Sequence, residues 1–282
     1  MKKILFATAM LGISASVSLL NAETYRIHVG EFNELIIDDN VNVVYSELAD
    51  SVGYVVFDIA PEKASYIMTE CTKGKLKVQL DPDAANLGTV PTVYAYSSYL
   101  SKAKNSKDST LFIRSVRPGA KIDIELQGNG KIVAHGLDAV TINLKLITGN
   151  GTVVASGKCD NLNIDNIGTG TIQADEVIAK EVKCRLMGTG TIGCSPQKKL
   201  RLQGLGSGKV YYTGSPQIEK SKLSNIEAIA LDSENSEEMP ETEMPETPVA
   251  EEPDGNSELL DLIEDPDSTE TSVPERLPVR KR

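Results

Sequence analysis

The chain has 282 residues, a net charge of −11, four Cys and no Trp. After the N-terminal segment no stretch is apolar and long enough to span a bilayer. The acidity is uneven: residues 231–282 carry 17 Asp/Glu against 4 Lys/Arg, whereas residues 1–230 hold 25 Lys/Arg against 23 Asp/Glu, so there is no basic stripe suited to nucleic acid.

The first 22 residues, MKKILFATAMLGISASVSLLNA, read as a signal peptide. Lys2 and Lys3 form a basic start, Ile4 to Leu20 is apolar and small, and Ala22 suits the position before a cleavage site. No Cys follows the apolar run, which argues against a lipoprotein anchor. The mature chain is therefore expected to be exported, to the periplasm, the cell envelope or the medium, with no transmembrane segment.

Residues 23–117 are strand-rich. TYRIHV, ELIIDDNVNVVYSE, YVVFDIA, YIMTECTKGKLKVQLD, TVYAYSSYL and STLFIRSV alternate or are β-branched, and KGK (73–75) has the look of a hairpin tip. APEKASYIMTE (60–70) is the best candidate for a short helix. This region is expected to cap the open end of the repeat C-terminal to it, because an unpaired first coil invites edge-to-edge association.

Residues 118–217 repeat. Glycine pairs fall at Gly128/Gly130, Gly149/Gly151, Gly168/Gly170, Gly188/Gly190 and Gly206/Gly208, in steps of 21, 19, 20 and 18 residues. Each pair is followed by Lys or Thr and then a β-branched residue: GNGKI, GNGTV, GTGTI, GTGTI, GSGKV. The flanks align as well. One column reads Ile122, Ile142, Leu162, Val182, Leu200, and the next Ile124, Leu144, Ile164, Cys184, Leu202. After the glycines come Ile132, Val153, Ile172, Ile192, Val210 and then Ala134, Ala155, Ala174, Cys194, Tyr212. Period-two alternation held in register over about five copies of about 20 residues predicts a parallel β-solenoid, in which stacked coils turn each column into an apolar ladder. All ten glycines are expected to serve as structural turns, permitting the corners between strands.

The cysteines take their roles from these columns. Cys184 replaces Ile or Leu, Cys194 replaces Ala, and Cys159 aligns with Ala139 and Ala179, so all three are expected to be reduced core residues. No pair has CxxC spacing and no His lies near, so neither a zinc site nor any other cofactor is expected.

From residue 218 the chain is expected to be a disordered tail. Seven of the 13 Pro fall after Leu231, EMPET occurs twice in succession, and aromatics are absent. Within it, SELLDLIED (257–265) has Leu259, Leu260, Leu262 and Ile263 spaced for one side of a short helix, formed against a partner or only transiently with none.

EFNELIIDDNVNVVYSE followed by KGKLKVQL, the serial glycine turns and the closing GSGKVYYTGSP together resemble the head GIN domain family of putative auto-transporter adhesins, over residues 24–216. The resemblance implies an all-β, β-helix-like domain on an exported envelope protein of Gram-negative bacteria, and carries over no catalytic residues. One departure stands out. The family turn often has Asp after the second Gly, where this chain has Lys131, Thr152, Thr171, Thr191 and Lys209, so an acidic ladder for calcium is missing and no metal is expected.

The candidate site residues are polar and aromatic. Asn129, Asn150, Thr169, Thr189 and Ser207 lie between the glycines and would form an outward ladder beside the Lys131 to Lys209 row, suited to glycan or protein contacts; the alternative is that corners simply need small polar residues. Tyr94 and Tyr96 share a strand face, Tyr99 follows, and Tyr211 and Tyr212 sit at the last coil. Exposed Tyr can stack on sugars or anchor an interface, or these rings can pack between cap and coils, with Tyr212 closing the end. Asp123, Glu125, Asp165 and Glu181 are scattered and alternate with Lys145, Lys183 and Arg201, which reads as a solvated face rather than catalytic carboxylates. The sequence thus points to a non-enzymatic, adhesin-like binding module for a glycan or an envelope or host protein. The alternative is a structural or regulatory envelope component whose acidic tail engages a partner protein.

Overall fold

The computed structural model describes residues 22–86 and 88–231 (backbone only at 85 and 86). The leader through residue 21 and the acidic stretch from 232, with its 257–265 segment, lie outside them. In chain order the strands are β1 (Glu23–His28), β2 (Glu34–Ile37), β3 (Val43–Ser46), β4 (Tyr54–Ile59), β5 (Ile67–Thr72), β6 (Lys75–Leu80), β7 (Val93–Tyr96), β8 (Lys102–Asn105), β9 (Thr110–Ile113), β10 (Gly119–Leu126), β11 (Lys131–Leu146), β12 (Thr152–Asn166), β13 (Thr171–Met187), β14 (Thr191–Leu205), β15 (Lys209–Tyr212), β16 (Gln217–Lys220) and β17 (Glu227–Ala230).

The repeat is a β-solenoid of about 6 turns. Each of β11 to β14 runs round from one coil into the next and pairs in parallel with its neighbours. The register matches the sequence columns: Ile124, Leu144, Ile164, Cys184 and Leu202 stand one above another, as do Ile132, Val153, Ile172, Ile192 and Val210. These side chains fill the lumen and are 0–1% exposed. Burying each aliphatic side chain contributes about 1.5–3 kcal/mol, which no isolated coil could gain because its inner face would remain wet.

Parallel stacking extends further than the glycine period does. β8 and β9 pair in parallel with β10 and β11, and β2 and β3 stack in turn on β8 and β9. The N-terminal region therefore carries rungs of its own, and its antiparallel part is confined to β1–β4–β7 and the β5–β6 hairpin. That hairpin turns at Lys73 and Gly74, both at positive φ. The expected helix at 60–70 is instead a short 3-10 segment over Pro61–Tyr66 that gives way to β5. Ile67 buries there as the first residue of a strand, which a continued helix would prevent. At the other end, β16 pairs with β14 and β17 with β15, so the ladder continues to Ala230 and not to 217. Ile226 is fully buried there, and Tyr212 packs against the core as the last member of the Ala column.

The two glycines of each pair meet different constraints at the corner. Four of the first-position glycines (Gly128, Gly149, Gly188 and Gly206) adopt positive φ, and Gly168 does not. The second-position glycines, Gly130, Gly151, Gly170, Gly190 and Gly208, are buried, and none of them adopts positive φ. At the inner end of each corner they are points of close approach between rungs. A Cβ would lie 2.3 Å from the Lys107 carbonyl oxygen at Gly130, 2.5 Å from that of Gly170 at Gly190, and 2.3 Å from that of Gly190 at Gly208. At Gly170 it would lie 2.0 Å from the Gly151 carbonyl oxygen of the rung before. That oxygen accepts a hydrogen bond from the Thr171 N–H, so the approach is part of the stacking.

Two buried Asn interrupt a Leu ladder. Asn105, Leu126, Leu146, Asn166 and Leu186 occupy successive rungs. Asn105 is fully engaged, with Nδ2 donating to the Ser109 carbonyl and Oδ1 accepting from the Lys107 N–H. Asn166 donates Nδ2 to the Gly170 and Thr191 carbonyls, but its buried Oδ1 has no partner. An orphaned acceptor costs about 1–3 kcal/mol. Leu fits the neighbouring rungs, where Leu126, Leu146 and Leu186 lean over the following glycines. Asn166→Leu is expected to stabilise the fold by about 1 kcal/mol, read as a higher urea midpoint, whereas Asn105→Leu should lower it.

All four cysteines are free thiols. Cys184 and Cys194 are completely buried and meet as a thiol–thiol contact in the lumen, while Cys159 is 8% exposed. Contact with Cys194 and burial push the Cys184 pKa up, and burial with the neighbouring Asp160 charge pushes Cys159 to about 11. Burial should keep iodoacetamide at neutral pH from modifying these three in the native protein, and denaturant should expose them to label. Labelling of Cys184 under native conditions would contradict the closed lumen.

Candidate binding face

The outer face of the second strand column is built from parts distant in sequence. β7 lies between β3 and β4, so Tyr96 stands opposite Tyr54 and Ser46, and Tyr94 opposite Val56 and Val44. On β1, His28 is opposite Tyr54 and Arg26 opposite Val56. Beyond β3, Phe112 aligns with Val44, Val133 with Phe112 and Val154 with Val133. One row thus reads Val56, Tyr94, Val44, Phe112, Val133, Val154, all half-buried and facing outward. Alternation places each of them opposite in sense to a core residue such as Val43, Tyr45 or Leu111.

Arginine and histidine side chains frame the aromatic part. The Arg26 guanidinium lies 4.2 Å from the Tyr54 ring centroid, and the His28 ring 4.9 Å from it. Phe112 meets His135 edge-on at 5.4 Å, and His135 Nδ1 lies 3.0 Å from Ser156 Oγ. Burial pushes the Tyr96 hydroxyl pKa up, while the charges of Arg114 and Arg26 pull against it, which puts both guanidinium groups within electrostatic reach of that ring.

The predicted site residues fall in three places. Tyr94 and Tyr96 are on this face, half-buried, with no ring contact to another aromatic among the described residues. Tyr99 is elsewhere: its hydroxyl reaches towards the Lys121 carbonyl and covers Gly119, where a Cβ would lie 2.9 Å from it. Tyr211 lies in the row of Val154, three rungs further along, beyond Gln173 and the buried Gly193. Asn129, Asn150, Thr169, Thr189 and Ser207 all lie along the glycine corner, Asn150 and Asn129 at its start and Ser207 at its end. Asn129 is largely committed there, because its Oδ1 accepts the Asn150 N–H. The same staple runs back through Asp108, which accepts the Asn129 N–H, to Asn40, which accepts the Asp108 N–H. Thr169 donates its hydroxyl to the Gly149 carbonyl.

The outward carboxylates are likewise engaged. Glu125 pairs with Lys104 at 3.0 Å, Asp165 with Arg185 at 3.0 Å and Glu181 with Arg201 at 3.3 Å. Burial alone would push Asp123 up, but hydrogen bonds from Lys121 and Asn143 outweigh it and hold the carboxyl below its usual range. That is the opposite of what a general acid requires. A shallow groove of about 610 Å³ crosses Gly119, Ala139 and Cys159, but its walls neutralise one another through Asp138–Lys158 and Asp160–Lys180 and no aromatic lines it.

Sequence reasoning found Tyr94 and Tyr96 by their i, i+2 spacing. It missed Tyr54, Phe112, Arg26, Arg114 and His135, whose strands gave no sign of lying side by side. Among the described residues no helix is long and apolar enough to cross a membrane.

Comparison with known proteins places the fold. A family model described as a putative auto-transporter adhesin, head GIN domain, matches residues 31–216. A putative adhesin structure from Bacteroides fragilis superposes with a TM-score of 0.63 at 20% identity, covering 75% of this chain and 94% of that one. A structure from Parabacteroides distasonis described as a putative lipid binding protein gives 0.60 at 19% identity, covering 75% and 97%. A putative adhesin from the same organism gives 0.59 at 17%, with the same coverage. At these identities the structures share the fold. No curated protein matches the chain.

Proposed function

Because the chain belongs to the head GIN domain family of putative auto-transporter adhesins, we propose that it is an exported, non-enzymatic binding module whose outer aromatic face holds a glycan chain. The observation that carries this reading is the outward pair Tyr94 and Tyr96, with Tyr54 opposite Tyr96 and Phe112 beyond Val44, displayed on a continuously paired sheet. Flat aromatic rings bind the apolar faces of sugar rings by dispersion and burial, and a pre-ordered sheet lowers the entropic cost of engaging them. A solenoid suits this role. Its rungs, roughly 4.8 Å apart, present side chains in straight rows to an extended ligand. A glycan array probed with the chain tests the reading, and retention of every signal after Tyr94→Ala and Tyr96→Ala together would refute it. Hydrolysis or cleavage of an array glycan, abolished by one carboxylate substitution, would instead make the protein an enzyme.

A further inference from the structure

Arginines on this protein fall into two groups. Arg117 holds Glu47 at 2.7 Å, Arg185 holds Asp165, and Arg201 holds Glu181 and Glu219. Among the described residues the other two, Arg26 and Arg114, pair with no carboxylate. Both flank the aromatic face. Arg26 projects from β1 and lies over Tyr54, with Nη2 donating only to the Asp50 backbone carbonyl at 3.3 Å. Arg114 follows directly on β9, where its N–H bonds the Tyr45 carbonyl, and its side chain is exposed. Between them lie β4, β7 and β3, a separation of roughly 19 Å at the usual strand spacing. Lys131, on the adjoining β11 strand, is a third cation that no ion pair engages among the described residues. Among the described residues, the only outward-facing carboxylate on β1, β4, β7, β3, β9 and the first parts of β11 (131–135) and β12 (152–156) is Asp58, which already accepts the Thr24 hydroxyl at 2.6 Å. Elsewhere Glu125, Asp165 and Glu181 each meet a cation; here Arg26 and Arg114 stand beside the Tyr94 and Tyr96 strand.

The geometry points to an acidic saccharide as the ligand: sugar rings stacked on Tyr94 and Tyr96, with carboxylate or sulfate groups held by the guanidinium groups of Arg26 and Arg114. The inference rests on the glycan reading of this face and adds the ligand's charge to it. A guanidinium fork takes a carboxylate or sulfate through two parallel N–H···O bonds, which a neutral hydroxyl cannot match. Arg26 stacked on Tyr54 is already oriented, so little side-chain freedom remains to be lost on binding. Arg26 in the row of Tyr94 and Arg114 beside the row of Tyr96, on opposite sides of the rings, favour a chain with acidic groups at intervals over a single small anion.

The full chain is titrated with polygalacturonate, heparin and neutral dextran. The first carries carboxylates, the second sulfates as well, and the third no charge. Binding of at least one acidic polymer, weakening steeply as salt is raised, is expected, with dextran bound at least about tenfold more weakly. Polygalacturonate and heparin then tell which anion is preferred. Arg26→Gln and Arg114→Gln should each reduce acidic-polymer binding about tenfold while leaving residual dextran binding unchanged. Arg114→Lys should recover part of the loss, and Tyr94→Ala should reduce all three. An unchanged thermal melt shows that each variant is folded. If dextran binds as tightly as the acidic polymers and the Arg variants have no effect, the acidic-ligand inference fails and the glycan reading stands. If no polysaccharide binds, both fail. Preference for single-stranded DNA over every polysaccharide overturns the inference too.

Discussion

Gly170→Ala should destabilise the solenoid by about 3 kcal/mol, whereas Gly193→Ala should cost less than about 0.5 kcal/mol. The two glycines sit within two rungs of each other, and both lie in or beside strands at ordinary φ. What differs is the neighbour that an added methyl would meet. At Gly170 it is the Gly151 carbonyl at 2.0 Å, a backbone atom locked by the hydrogen bond from Thr171. Relief requires the two rungs to separate, which breaks the pairing of β12 with β13 at that corner. At Gly193 it is the Asp175 carboxylate at 3.3 Å, a side chain free to swing aside. For a domain of this size the first change corresponds to a fall of about 10 °C in melting temperature. In a solenoid each rung contacts only its neighbours, so hydrogen exchange should accelerate first in β12 and β13. A Gly170→Ala protein melting within a degree of wild type would mean that the inter-rung approach is not a real constraint.

Replacing Tyr94 and Tyr96 together by Ala should weaken glycan binding by about 100-fold with little change in melting temperature. In the proposed complex each ring would cover sugar surface, and its neighbours on the outward side of the sheet are Val44 and Val56 for Tyr94 and Ser46 and Tyr54 for Tyr96. Loss of about 1.5 kcal/mol per ring gives the estimate, since each 1.4 kcal/mol is tenfold. Because both face outward, truncation opens no cavity in the core formed by Val93 and Ala95 of the same strand. Tyr99→Ala is the matched control. It removes a Tyr of the same segment but one that covers Gly119 on another surface, so binding should hold. Equal losses from Tyr99→Ala and Tyr94→Ala would place the ligand elsewhere.

The legibility of the fold followed the range of the interactions. Columns such as Ile142, Leu162, Val182, Leu200 could be aligned by eye because each rung repeats after about 20 residues and its glycines mark the same corner. The different duties of the two glycines in a pair were not legible, because the carbonyl that Gly130, Gly190 or Gly208 approaches belongs to the rung before. The rung formed by β2 and β3 was not legible as a rung. Its successor, β8 and β9, comes only after β4 to β7 have been inserted between them, which erases the period. Corners there lack the glycines. Asn40 and Asp108 accept backbone N–H groups from the next rung as Asn129 does, but no GxG marks the place. The strands β16 and β17 were hidden by a related effect: QIEK and EAIA are short, largely exposed and adjacent to acidic sequence, and only pairing with β14 and β15 makes them strands.

The order of residues along the chain was enough to define the solenoid and the burial of Cys159, Cys184 and Cys194, and to place Tyr94 and Tyr96 on one strand face without deciding whether that face is outward. These follow from period-two alternation and from glycine placement, which act over a few residues and are therefore written locally. That Arg26, Tyr54, Tyr96 and Arg114 share one surface emerged from the folded molecule and from nothing short of it. Those residues come from β1, β4, β7 and the end of β9, and two of the three pairings that join β1 to β7 and β3 are antiparallel, a break in the repeat that no local pattern announces. Non-local strand pairing is chosen by the whole core, since it is the burial of Val43, Tyr45, Val55, Phe57, Val93 and Ala95 on the inner side that holds the outer row in place.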